Sequence, residues 1–126
     1  VCMYVCMYVC MYVCMYVCMH VCMYVCVCVC VCVASLGRSM ALELARWQVT
    51  ANTVAPGPIA TELFNQGQPP GTPARIKIEA NVPLGRVGDP AEIAAATSFF
   101  LSDEASYVTG QTLNVCGGLS VGFGGQ

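Results

Sequence analysis

Residues 49–58 read VTANTVAPGP, and this short stretch decides how the chain is built. Val49–Val54 is rich in β-branched residues, which favour a strand. Pro56 and Pro58 follow at once. Neither can donate to a sheet ladder, and each holds the residue before it extended, so they close the strand and force an extended turn. Upstream, Leu36, Met40, Leu44 and Trp47 recur at helical spacing, and Gly37, Ala41 and Ala45 widen the same arc. Ser35, Arg38, Ser39, Glu43 and Arg46 fall on the opposite side. That pattern predicts an amphipathic helix from Ala34 to about Trp47, feeding directly into the strand.

Downstream, residues 62–82 carry Gly67, Pro69, Pro70, Gly71 and Pro73 before the mixed stretch RIKIEANV. So many breakers predict a mobile excursion, long enough to act as a lid. Asp89-Pro90-Ala91-Glu92 is a helix start: Asp89 can cap, Pro90 suits the first helical position and Glu92 completes a capping box. Ile93, Ala96, Phe99 and Phe100 mark the buried side of that helix, which should stop near Leu101. QTLNV (111–115) reads as a second strand ended by Gly117-Gly118, and GGLSVGFGGQ as a loose tail. Strand, excursion, helix and strand together predict an α/β fold with a right-handed crossover between parallel strands.

The first thirty-three residues are of another kind, VCMY repeats followed by VC repeats. An alternating GT tract read in frame gives only Val and Cys, and two G-to-A changes give Val-Cys-Met-Tyr. The expectation is a translated microsatellite or a wrong gene boundary at residues 1–33, with the informative domain at 34–126. Ten of the eleven cysteines lie in the repeat, leaving Cys116. A disulfide framework needs turns, and the repeat has no Gly, Pro, Asn, Asp or Ser. Its fixed spacing is not that of a zinc knuckle, so no metal site is expected. The tract exceeds the roughly 20 residues that span a bilayer, but its regular β-branched Val and frequent Tyr do not suit a spanning helix, so membrane insertion is not expected, and without a basic flank or a cleavage site neither is a signal peptide. As polypeptide, an uncharged, Pro-free, β-prone tract favours aggregation. All twelve charged residues follow Gly37 and sum to −2, which leaves no footprint for nucleic acid.

ALELARWQVTANTVAPGPIATEL (41–63) and PLGRVGDPAEIAAATSFFLSDEASYVTGQTLNVCGG (83–118) resemble the carboxyl-terminal part of the short-chain dehydrogenases/reductases. The likeness is greatest to the branch holding 3-oxoacyl-carrier-protein reductases and related alcohol dehydrogenases. It implies the carboxyl-terminal part of a Rossmann-type doubly wound parallel sheet binding NAD or NADP at the carboxyl ends of its strands. It further implies an alcohol or ketone as small-molecule substrate, a homo-oligomer and a cytoplasmic location. Pro56 and Gly57 would lie under the nicotinamide, Ile59 would supply main-chain contacts, and the Thr61 hydroxyl would reach the carboxamide or diphosphate. Leu63 and Phe64 would belong to the substrate lid. Cys116 stands where the family usually has Asp, and as a lone small apolar residue it is assigned no chemistry.

The family's acid/base pair is missing. The resemblance implies a Tyr, a Lys four residues later that lowers the phenol pKa, and a Ser that positions the carbonyl. By the family's spacing Tyr would fall at Cys26 and Lys at Cys30. Tyr24 is out of register, and the residue four on from it is Cys28. His20 has no carboxylate upstream and reads as repeat drift. No catalytic residue is therefore assigned, and the chain is expected to be inactive. The competing reading is a membrane-anchored or self-associating protein that uses residues 1–33.

Overall fold

The computed structural model describes the backbone of residues 21–124 and the side chains of residues 31–124. The repeat up to residue 20, with His20, and the last two residues of the tail lie outside the described residues. The elements are α1 (Val21–Leu44), β1 (Thr53–Pro56), α2 (Glu62–Gly67), α3 (Pro73–Asn81), α4 (Pro90–Leu101) and β2 (Thr112–Val115). Among the described residues no helix is long and apolar enough to cross a membrane.

The chain forms two compact units. The first holds residues 21–54 with 99–113. Here α1 runs past the expected start at Ala34, and a 3-10 turn over Ala45–Trp47 continues it to the expected end. Its inward line is narrower than the periodicity suggests. Ala41 is buried and Gly37, Met40 and Leu44 are half-buried, whereas Leu36 and Trp47 are exposed. The Arg46 guanidinium instead lies 3.7 Å over the Trp47 ring, which covers part of that apolar surface from within the same turn.

Residues 49–52, expected as the strand, lead into it. Pairing begins at Thr53, whose N–H donates to the Gln111 carbonyl at 2.8 Å. Before that point side chains make the ties: the Thr109 hydroxyl accepts from Ala51 N–H at 3.1 Å, and Asn52 donates to the Val108 carbonyl at 2.8 Å. In the second unit Gly57 N–H donates to the Val115 carbonyl at 2.9 Å, the same offset of 58 residues in the same direction. β1 and β2 are therefore parallel neighbours. Pro56, expected to close the strand, lies within it. By the period of two its missing N–H faces away from β2, so the ladder loses nothing.

The second unit holds residues 55–98 with 114–124. Its buried centre is Ile59, Val82, Val87 and Ile93. The capping box at α4 forms as expected. The Asp89 carboxylate accepts from Ala91 N–H at 2.8 Å, and Glu92 accepts from Asp89 N–H at 2.7 Å. The helix ends at Leu101 as expected, but Phe99, in the first unit, is exposed rather than buried.

The excursion 62–82 is not a coil: it contains α2 and α3, each started by a threonine. Thr61 accepts from Phe64 N–H at 3.2 Å, and Thr72 accepts from Arg75 N–H at 3.3 Å with Pro73 at the first helical position. Arg75, 5% exposed, joins them. It donates to Glu79 at 2.7 Å, to the Asn65 side chain at 3.1 Å and to the Gln68 carbonyl at 3.4 Å, and lies 4.9 Å over the Phe64 ring. The tail is not loose either, since Gly124 N–H donates to the Asn81 carbonyl at 2.8 Å.

Candidate functional site

The candidate site lies wholly in the second unit, where β1 and β2 end. Gly57 follows Pro56 and packs directly on the other strand: a Cβ built on it would lie 2.7 Å from the Cys116 Cα. Only glycine admits that approach. Beyond it the chain is tied a second time. Ile59 and Gly88 form a parallel bridge in which Gly88 N–H donates to the Pro58 carbonyl at 2.9 Å and Ala60 N–H to the Gly88 carbonyl at 2.8 Å. Both bonds use the residues flanking Ile59, so its own N–H takes no part in the bridge, while its carbonyl accepts from Thr61 N–H at 2.8 Å. The Ile59 side chain is buried, anchoring this backbone.

Pro56, Gly57, Ile59 and Thr61 thus stand on one segment fixed at both ends. Thr61 is already engaged: its hydroxyl oxygen caps α2 through Phe64 N–H, and its hydroxyl proton remains to be donated. Phe64 is half-buried beside Arg75, and Leu63 is exposed.

A cavity of about 250 Å³ opens beside this segment. Ile59, Val82 and Leu84 give it apolar walls, and Asn114 and Cys116 stand at the end of β2. The Arg86–Glu92 pair also lines it, with nitrogen–oxygen distances of 2.6 and 2.8 Å. The Arg86 hydrogen bonds, joined by Asp89 N–H, hold the Glu92 carboxyl down at about 2, and the same bonds raise Arg86. Each ion satisfies the other, so the pair offers no net charge to a ligand.

Cys116 is more than a passive filler. Its thiol donates to the Ser120 hydroxyl at 3.2 Å, and Ser120 N–H donates back to the sulfur at 3.4 Å. Burial disfavours its thiolate, but in that form the Ser120 hydroxyl turns to donate to the sulfur, and together with the backbone N–H groups of Ser120, Gly118 and Leu119 this outweighs burial and lowers the pKa.

Sequence reasoning overlooked Arg75 and the Cys116–Ser120 contact. The signal for Arg75 was the Thr72-Pro73 start followed by an Arg–Glu pair four apart. Cys26 and Cys30 fall within α1, at positions whose side chains are not described.

Residues 28–120 match the family model described as enoyl-(acyl carrier protein) reductase. A 3-oxoacyl-[acyl-carrier-protein] reductase of Vibrio harveyi is 49% identical over 85 residues, which are 65% of this chain and 32% of that protein. The subunit BbsC of a (2S)-[(R)-hydroxy(phenyl)methyl]succinyl-CoA dehydrogenase from Thauera aromatica is 47% identical over 90 residues, 70% of this chain and 33% of its own length. Among solved structures, YwfH, an NADPH-dependent reductase involved in bacilysin biosynthesis, superposes with a TM-score of 0.69 at 31% identity, covering 77% of this chain and 40% of that one. A short-chain dehydrogenase family protein from Francisella tularensis gives 0.64 at 33% identity, covering 71% and 40%. The chain spans about a third of the length of the curated relatives it matches. The α/β fold is that of a Rossmann-type parallel sheet in its carboxyl-terminal portion. The chain belongs to the short-chain dehydrogenase/reductase family.

Proposed function

We propose that residues 34–126 form the nicotinamide-facing, carboxyl-terminal portion of an NAD(P)-dependent oxidoreductase that interconverts an alcohol and a ketone. The chain as it stands is catalytically silent. The observation that carries this reading is the backbone after β1. Ile59 is held by a bridge that leaves its own N–H out, and one residue separates it from a Thr hydroxyl with a proton to donate. A carboxamide oxygen has two lone pairs and can accept from both donors, and the ends of parallel strands are where α/β folds bind ligands. Gly57 keeps this backbone close to the end of β2, and Pro56 and Pro58 pre-set its turn. The bound nicotinamide would supply the hydride chemistry. Residues 34–126 would orient its ring, and α2 with α3 would cover the substrate. In this reading the substrate is a small alcohol or ketone, and the working protein is a homo-oligomer in the cytoplasm.

Silence follows from the positions where a proton-transfer pair is needed. With cysteine at 26 and 30, no phenol–ammonium pair stands on the helix that leads into Ala34. The same proposal makes residues 1–33 foreign to the domain. A spliced transcript joining the codon of Ala34 to an exon for Tyr-x-x-x-Lys would support it, and a transcript carrying the repeat in frame from a start codon would oppose it.

Turnover tests the functional claim. The purified chain should oxidise no NADPH above background with 3-oxoacyl thioesters. Residues 34–126 grafted behind the amino-terminal part of a family member that carries a Tyr-x-x-x-Lys helix should restore turnover. Activity in the unmodified chain, or a folded but inert graft, would overturn the assignment.

A further inference from the structure

The glycine-rich tail has no place in the cofactor reading, yet it is closely fitted to the residues that follow α3. Leu84 N–H donates to the Gly117 carbonyl at 3.1 Å, and Gly124 N–H donates to the Asn81 carbonyl at 2.8 Å. Steric contact reports the same fit. A Cβ on Gly117 would meet the Val82 side chain at 2.7 Å, and one on Gly124 would meet the Val82 and Ala80 carbonyl oxygens at 2.5 and 2.9 Å. Gly117 also has φ +62, in the left-handed region that favours glycine. By contrast, nothing lies within 4 Å of a Cβ on Gly122. The tail therefore touches residues 80–84 at both of its ends, while Ser120–Phe123 between them are exposed. Val82 is 2% exposed beneath it, and Val82, Leu84 and Gly117 all line the cavity.

We propose that Gly117–Gly124 is a strap that locks the exit of α3, so that the cavity wall formed by Val82 and Leu84 moves only when the strap releases Asn81–Leu84. The strap is a conformational device, and the fit at Gly124 is its latch. A β-carbon at 124 is aimed at backbone oxygens, which no rotamer change can move aside. A change at 122 points into open space.

Amide hydrogen exchange on the full chain tests this without cofactor, so its failure would leave the cofactor reading standing. The reporters are the Val82, Leu84 and Gly85 amides, which are bonded to Glu79, Gly117 and Val82. Gly124→Val, and separately removal of residues 124–126, should speed their exchange by about tenfold, the loss expected of one net hydrogen bond. Gly122→Val should match the unmodified chain, and the Ile93–Thr97 amides of α4 should keep their rates. Unchanged reporters, equal loosening by Gly122→Val, loosening of α4 to the same degree, or full exchange at 82–85 in the unmodified chain would each overturn the strap.

Discussion

Replacing Arg75 should unfasten the α2–α3 excursion from within. Arg75→Met keeps the volume of the stem and removes three polar contacts, to Glu79, Asn65 and the Gln68 carbonyl. Hydrogen bonds to charged groups are worth about 1.5–3 kcal/mol each, but these three are unequal. The bond to Gln68, at 3.4 Å, is long, and the Glu79 side chain is 33% exposed, so water can replace part of what it loses. The expected cost is therefore about 2–3 kcal/mol, below the roughly 3–5 kcal/mol of breaking a fully buried pair. At 1.4 kcal/mol per tenfold, the α3 amides should exchange about 30- to 150-fold faster if they open locally. Arg75→Lys should fall between, because an ammonium can still meet Glu79 but cannot fork to Asn65 and Gln68 together. The assay is residue-resolved exchange over Pro73–Asn81. Rates within about threefold of the unmodified chain in Arg75→Met would refute the reasoning, since they would mean that α3 is held without its buried cation.

Further outcomes follow from the same geometry. Glu92 should titrate in the folded chain near 2 rather than at the ordinary 4.5, with its stabilising contribution present above 4.5 and lost as pH falls through about 2. Carboxyl NMR should show it about nine-tenths ionised at pH 3, and Arg86→Ala should move it back upward. Gly57→Ala should cost about 1–3 kcal/mol or more, read as a lower denaturation midpoint of the grafted enzyme, because the new methyl meets the Cys116 backbone. Thr61→Ala should remove the α2 cap at a cost of about 1 kcal/mol and weaken cofactor binding by the graft, read by fluorescence titration. A graft that loses stability and keeps its affinity would assign Thr61 to capping alone.

Local chemistry was legible in the sequence, and long-range partners were not. The α4 start could be read because the Asp89 and Glu92 carboxylates satisfy the Ala91 and Asp89 N–H groups within four residues. The strand was misplaced by four residues because β-propensity runs from Val49, whereas pairing depends on where Gln111 and Val115 come to lie. Thr61 and Thr72 announced α2 and α3, but the density of Gly and Pro around them masked the signal. Helical periodicity drew the apolar faces of α1 and α4 without saying whether anything covers them, and Leu36, Trp47 and Phe99 remain exposed. For the candidate site, the sequence set Pro56, Gly57, Ile59 and Thr61 on one segment at the strand's end, although Pro56 lies within β1. The reason Gly57 must be glycine lay across the sheet at Cys116, and the strap's fit on Val82 lay thirty-five residues or more away in sequence.

The most direct test of the account is the affinity of the grafted enzyme for NADPH. With the amino-terminal half supplied by an NADPH-dependent reductase of the family, the proposed reading leaves residues 34–126 only the nicotinamide wall at Pro56, Gly57, Ile59 and Thr61 to provide. The account predicts a dissociation constant within about threefold of that reductase's own, a difference of about 0.7 kcal/mol. A graft that folds, melts cooperatively and binds NADPH a hundredfold or more weakly would contradict it.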